Sequence, residues 1–152
     1  MIGLLQRVTE ARVTSGNETL GEIGAGLLVL IGVERHDTET EADRLLQRLL
    51  SYRVFADDNG RMNLSLTDTH GGLLLVPQFT LPADTRKGTR PGFSTAADPA
   101  TGEQLFNYLL EQARIQAPEH DISIAAGRFG ADMRIALVND GPVTFWLQVS
   151  PR

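Results

Sequence analysis

No cysteine occurs in the chain, which excludes a disulfide framework, thiolate metal sites and a cysteine nucleophile, and which suits a reducing compartment. Histidine is scarce. His36, His70 and His120 are scattered, with no pair at metal-ligand spacing and no His-Glu-x-x-His, so a metal centre is not expected. Long apolar runs are missing too: the longest, 27–31, is far too short to span a bilayer, and the opening Met1-Ile2-Gly3-Leu4-Leu5-Gln6-Arg7 lacks the charged start and apolar core of a signal peptide. These absences predict a soluble, cytoplasmic protein without membrane contact. Positive charge is in deficit, with a formal net charge of −5, and this argues against a broad basic face laid along nucleic acid. There is no Gly-x-Ser-x-Gly elbow. Gly24-Ala25-Gly26 runs into a strand-like segment and not a helix, so it is no phosphate cradle, and no cofactor is expected. Asp57-Asp58-Asn59-Gly60 lacks the ligand spacing and closing glutamate of a calcium loop and reads as a turn. Spacing alone does not exclude a Ser-His-Asp triad, but nothing sets a histidine beside a serine. An enzyme of this composition works through backbone groups, a Thr or Gln, and its substrate.

At 152 residues the chain is read as one domain, 1–152, able to bury roughly 70% of the surface it exposes when unfolded. No repeat, low-complexity tract or linker divides it. Strand-like runs cover 2–9, 11–15, 27–33, 52–55, 62–66, 73–76, 122–125, 133–138 and 143–149. Thr38 and Glu41 form a capping box ahead of Ala42, Leu45, Leu46, Leu49 and Leu50, one apolar face at helical spacing. Asp98-Pro99 opens a second helix with the stripe Leu105, Phe106, Leu109, Leu110 and Ala113, and Pro118 is expected to stop it. Ser15-Gly16-Asn17 and Asp58-Asn59-Gly60 read as hairpin turns. The predicted class is a sheet-rich α+β domain of three layers (β/β/α), with two main helices on one sheet face and another face free to pack on a partner.

Two places break these local rules. Asn139-Asp140-Gly141-Pro142-Val143-Thr144-Phe145 interrupts a strand-like run with a residue that cannot donate to a ladder, so a strand break is predicted there. Upstream, the buried run Leu73-Leu74-Leu75-Val76 ends in Pro77-Gln78-Phe79-Thr80-Leu81-Pro82, a polar Gln and Thr in apolar surroundings between prolines. Just after it, Arg86-Lys87-Gly88-Thr89-Arg90 places three cations in five residues, enough to grip a few phosphates. Rule-breaking of this kind concentrates at functional sites.

The segments PQFTL at 77–81 and NDGPVTF at 139–145, with LLQRVTEARV, GEIGAGLLVLIGV, DTRKGTRPGF and GRFGADM, make the chain similar nearly end to end to the bacterial D-aminoacyl-tRNA deacylases. The resemblance implies a cytoplasmic homodimer that hydrolyses the carboxylic ester between a D-amino acid, or glycine, and the terminal ribose of tRNA, as a proofreading step in translation. It implies a cis Gly141-Pro142 bond whose carbonyls hold the substrate's α-ammonium in the partner subunit's site and exclude L side chains. It also implies that backbone N–H groups at Phe79 and Thr80 polarise the ester carbonyl, in the manner of oxyanion donors. Water is then activated by the ribose 2′-hydroxyl, with Thr80 as the side-chain alternative. By the same resemblance Arg7 braces the clamp, Gln78 orients the ribose, and Phe129 and Met133 wall the pocket. Arg86, Lys87 and Arg90 are the expected contacts to the tRNA acceptor end. Pro77 departs from the pattern, since most bacterial members carry serine there. A related animal branch with relaxed specificity has proline at this position but differs elsewhere, so the balance between D-amino acids and glycine stays open. The competing expectation is a non-catalytic module that binds the aminoacylated acceptor end; a serine hydrolase on small esters is a weaker third.

Overall fold

The computed structural model describes residues 1–152. Its spine is β1 (Ile2–Ser15), which joins the two runs predicted at 2–9 and 11–15 into one long strand. One edge of β1 pairs with β2 (Glu18–Ile23) along its second half and with β3 (Gly26–Gly32) along its first. The other edge pairs along its whole length with β8 (Arg134–Gln148). Strand β2 was not foreseen: Glu18, Thr19, Gly21 and Glu22 carry little strand signal, and the segment is a strand because the Gly16 turn folds it onto β1.

Outward from β3 the sheet continues with β6 (Gly72–Pro77) and β7 (Ser123–Ala126), both in parallel register. Parallel strands require crossovers, and the two helices supply them. Between β3 and β6 lie α1 (Glu39–Ser51), the small hairpin β4 (Phe55–Ala56) and β5 (Met62–Leu64), and the single turn α2 (Leu66–Thr69). Helix α3 (Pro99–His120) connects β6 to β7. Strands β3 and β6 are buried at almost every position, as expected for strands covered on both faces.

The sheet curls until β2 approaches β7, so it is nearly a closed barrel. Glycine makes the seam possible. A Cβ on Gly21 would lie 2.9 Å from the Ala126 carbonyl oxygen, and a side chain on Gly26 would run into the Gly72 backbone. Two apolar cores result. The larger lies under α1 and α3 and holds Leu45, Leu46, Leu49, Phe106 and Leu109; the smaller, inside the curl, is built on Val8, Val13, Leu28, Leu74 and Val76. Sheet folded over sheet with helices on one side matches the predicted three-layer α+β class.

The capping box at Thr38 and Glu41 is present, the Glu41 carboxylate accepting from the Thr38 N–H at 2.8 Å. Asp98 caps α3 through the Thr101 N–H at 3.0 Å. Pro118 does not end α3: the helix runs on to His120 and stops at Asp121, which takes the left-handed conformation with φ 54°. A proline near the end of a helix removes one donor and leaves the last carbonyls free, so termination falls to the αL residue. Leu66, read as the end of a strand, opens α2 instead, because Ser65 and Asp68 form a second capping box.

Candidate active site

Strand β6 is buried through Pro77, and the chain then turns into solvent: Gln78 is half-buried, Phe79 and Thr80 are exposed. The turn is pinned at its entry by the Gln78 N–H, which donates to the Ile31 carbonyl at 2.7 Å. It is pinned again by the Leu81 N–H to the Gln78 carbonyl at 3.2 Å and the Ala83 N–H to the Thr80 carbonyl at 3.1 Å. The backbone N–H groups of Phe79 and Thr80 bond to nothing in the chain. Two adjacent free donors on a braced turn are the elements of an oxyanion hole. The Gln78 amide Nε2 donates to Thr80 Oγ1 at 2.6 Å, so the hydroxyl proton of Thr80 points elsewhere and remains a donor.

Pro77, Gln78 and Phe79 form one side of a cleft of about 440 Å³. Phe129 and Met133, at least fifty residues further along the sequence, form the other side, and the N-terminus of α3 closes one end at Asp98 and Gly102. Glycines again allow the approach. The Phe129 ring rests on Gly102, and a Cβ on Gly127 would lie 2.8 Å from Met133 Sδ and 3.3 Å from Pro77 Cδ. Asp98 and Asp132 add carboxylates to an otherwise largely apolar lining. Hydrogen bonds from the Thr101 N–H and hydroxyl hold the Asp98 carboxyl below its ordinary range. Asp98, Asp132 and Gly102 carried no signal in the sequence beyond helix capping and turn chemistry, and only the tertiary packing brings them to the cleft.

The segment 139–145 contains no strand break in the sense predicted. β8 stays on its ladder through Gly141-Pro142 and accommodates the pair as a large bulge: Gln6 pairs with Thr144 and Val8 with Asn139, so residues 140–143 stand opposite Arg7 alone. The ladder survives because the missing proline donor falls inside the bulge, where no partner N–H is required. The Gly141-Pro142 peptide is cis. Arg7 spans the bulge, with Nε donating to the Asp140 carbonyl at 3.0 Å and ion-pairing with Asp140 Oδ2 at 3.1 Å, while Nη1 donates to the Val54 carbonyl at 2.6 Å. Asn139, unremarked as a side chain in the sequence, closes the other half: its Nδ2 donates to the carbonyls of Arg7 at 2.9 Å and Val143 at 3.2 Å. The bulge is braced yet exposed, and Gly141 and Pro142 do not line the cleft of their own chain.

The basic loop is a hairpin whose base is the Asp84–Gly92 bridge, with N–H to carbonyl distances of 2.7 and 3.0 Å. Arg86 does not reach outward as a free cation. It makes a two-pronged ion pair with Asp84 at 2.7 and 2.8 Å, which holds that carboxyl well below the usual range. Lys87 and Arg90 make no such pair. No cluster of potential metal ligands is present, and no helix is long and apolar enough to cross a membrane.

A family model described as D-Tyr-tRNA(Tyr) deacylase matches residues 4–148. This chain belongs to that family. A D-aminoacyl-tRNA deacylase of Pseudomonas putida is 62% identical over 149 residues, 98% of this chain and 100% of the relative. A D-aminoacyl-tRNA deacylase of Nitrosococcus oceani is 60% identical over 151 residues, 99% and 95% of the two chains. Among solved structures, the c-Myc DNA Unwinding Element Binding Protein superposes with a TM-score of 0.91 at 38% identity, covering 99% of this chain and 100% of that one. The family match spans both the Pro77–Thr80 turn and the Gly141-Pro142 bulge.

Proposed function

We propose that this protein hydrolyses the ester joining a D-amino acid, or glycine, to the terminal ribose of tRNA, and spares L-aminoacyl-tRNA. The observation that carries the reading is the turn after β6, where Phe79 lines a cleft walled by Phe129 and Met133 and the N–H groups of Phe79 and its neighbour Thr80 have no partner in the chain. A tetrahedral intermediate places a negative oxygen where two such donors converge. The apolar slot accepts the terminal nucleoside, and Gln78, already bonded to Thr80, faces the ribose. Water attacks the ester carbon with the ribose 2′-hydroxyl as its proton acceptor, and the proton passes to the departing 3′-oxygen. Thr80 positions this water and is not a nucleophile, because its only side-chain partner is a donor, the Gln78 amide, and no base accepts its proton. Aminoacyl esters are labile, so a modest barrier reduction is sufficient, and no His or Cys is needed.

Chirality is selected by backbone carbonyls at Gly141 and Pro142, which hold the α-ammonium so that an L side chain strikes the clamp and a D side chain points outward. The clamp serves a second copy of the chain. The bulge is exposed and lies outside its own cleft, which supports a two-fold dimer in which each subunit completes the other's site. The protein works in the cytoplasm, where charged tRNA is found.

Incubating the purified protein with D-tyrosyl-tRNA and L-tyrosyl-tRNA tests the reading. Rapid release of D-tyrosine with the L ester intact is expected. Tight binding of both without hydrolysis would replace the enzyme with a module that only holds the acceptor end.

A further inference from the structure

Phe79 and Phe93 form an aromatic pair left in water: their ring centroids are 5.5 Å apart at 44°, and the residues are 63% and 43% exposed. Two exposed aromatic rings in contact, beside a cleft, form the kind of apolar patch that marks an interaction surface. Phe79 lines the cleft and Phe93 does not, so the pair makes a step leading out of the site. The second ring is firmly mounted. Phe93 follows the Asp84–Gly92 bridge directly, its carbonyl accepts from the Ala96 N–H at 3.1 Å, and the Thr95 hydroxyl donates to the Pro82 carbonyl. The same hairpin carries Lys87 and Arg90, the two cations of the loop that no carboxylate neutralises, with Arg90 three residues before Phe93. Ring faces beside unpaired cations are the recognition chemistry of single-stranded nucleic acid. Bases stack on the rings whatever their identity, and the cations follow the phosphates.

We infer that Phe93, with Phe79, is a stacking platform for the unpaired nucleotide that precedes the terminal nucleoside of the tRNA acceptor end, with Lys87 and Arg90 on the adjoining phosphates. The inference rests on the deacylase reading and adds to it a subsite outside the reaction centre. It commits to RNA and not to a second copy of the chain, because the cations beside the rings have complementary charge to phosphate in a protein whose net charge is −5.

The test compares D-tyrosyl-tRNA with the D-tyrosyl ester of adenosine, which lacks the preceding nucleotide assigned to Phe93. For Phe93→Ala, kcat/KM on the tRNA substrate should fall about 5- to 100-fold through KM, with kcat kept. The adenosine ester should be cleaved as by the wild type. Phe93→Tyr, which keeps the ring face, should restore the tRNA value, and Phe93→Leu should not. Equal losses on both substrates, or a Phe93→Leu protein as good as wild type, would overturn the platform. A lower sedimentation coefficient for Phe93→Ala would also overturn it, by making Phe93 a contact between copies. A wild-type protein inert on both substrates would remove the deacylase reading and the platform with it, a pattern distinct from a loss confined to the variant.

Discussion

Thr80 and Arg7 separate what a side chain does from what it holds. Thr80 Oγ1 accepts from Gln78, so the hydroxyl is a positioned donor. Thr80→Ala should therefore keep kcat on D-tyrosyl-tRNA within about tenfold of wild type, less than the roughly 100- to 10,000-fold that a positioned acid–base group contributes. A tRNA ending in 2′-deoxyadenosine should be almost inert with the wild-type enzyme. Complete loss in Thr80→Ala alongside normal cleavage of the deoxy substrate would reassign Thr80 as the nucleophile. Arg7 donates in two directions, to Asp140 in the bulge and to the Val54 carbonyl behind it, a fork that lysine cannot copy. Charge-assisted hydrogen bonds contribute about 1.5–3 kcal/mol each. Arg7→Lys should loosen the bulge enough to lower the D-over-L rate ratio by at least about tenfold while the fold, followed by circular dichroism, persists. An unchanged ratio would mean that the bulge stays in place without its brace.

Two elements behave in ways that solution measurements can read. In the hairpin 84–92, Arg86 is committed to Asp84, leaving Lys87 and Arg90 to meet phosphate. The slope of log affinity against log salt for uncharged tRNA should fall by about 0.7 to 0.9 for each of Lys87→Ala and Arg90→Ala, and by much less for Arg86→Ala. Equal slope changes for all three would show that the Asp84 pair opens on binding. At the start of α1, hydrogen bonds from the Thr38 hydroxyl and backbone hold the Glu41 carboxyl below its ordinary value of 4.5, and Thr101 does the same for Asp98 at the start of α3, below 3.8. A lowered folded pKa means the contribution is complete above the ordinary value and lost as pH falls through the folded one. Stability should therefore decline on the acid side, beginning near pH 4.5, and Thr38→Ala should cost about 1 kcal/mol at neutral pH with a smaller difference in acid. Urea midpoints measured against pH give both quantities, and a Thr38→Ala deficit that does not shrink in acid would refute the linkage.

At the scale of the molecule, the ends of the chain are locked together. The Met1 ammonium, fully buried, meets Asp37 Oδ1 at 2.7 Å and Glu34 Oε2 at 2.9 Å, and it donates to the Val149 carbonyl. Burial nonetheless pushes the Asp37 carboxyl up from its ordinary value, the ammonium offsetting only part of the cost. Removing one partner of a buried pair strands the other, so Asp37→Asn should lower unfolding free energy by about 3–5 kcal/mol, read as a shift in urea midpoint at constant slope. A change below about 1 kcal/mol would mean that Glu34 alone satisfies the ammonium. Outside the ends, Trp146 and Val138 leave about half of their surface in water on β8, whose outer edge no strand covers. The protein should sediment at twice its 16.6 kDa chain mass, and a monomer with full activity would defeat the shared-site arrangement.

The apolar stripes and capping residues placed α1 and α3 in the sequence, and the continuous apolar runs 27–33 and 73–76 marked the buried parallel strands, because these signals are local: period, cap and run length act within a dozen residues. Composition alone left backbone groups and an unspecified Thr or Gln as candidates for chemistry, and the prolines bracketing Gln78 and Thr80 together with the family resemblance pointed to which. Other features were decided only by packing. β2 exists because β1 offers it an edge, the Gly141-Pro142 pair rides a bulge braced by Arg7 from the neighbouring strand and by Asn139 at the bulge's own base, and Pro118 sits inside a helix whose end is set by an αL residue. The cleft needs Gly102 and Gly127 to let Phe129 and Met133 close on Pro77. Arg86, one of three equivalent cations in the sequence, is silenced by a carboxylate two residues away, through a loop geometry that the Asp84–Gly92 bridge imposes. Local patterns specify which element forms. Which distant groups meet, such as Arg7 with Asp140 or Pro77 with Met133, depends on how the sheet curls, and that is fixed by close backbone approaches and side-chain bridges that no window of sequence contains.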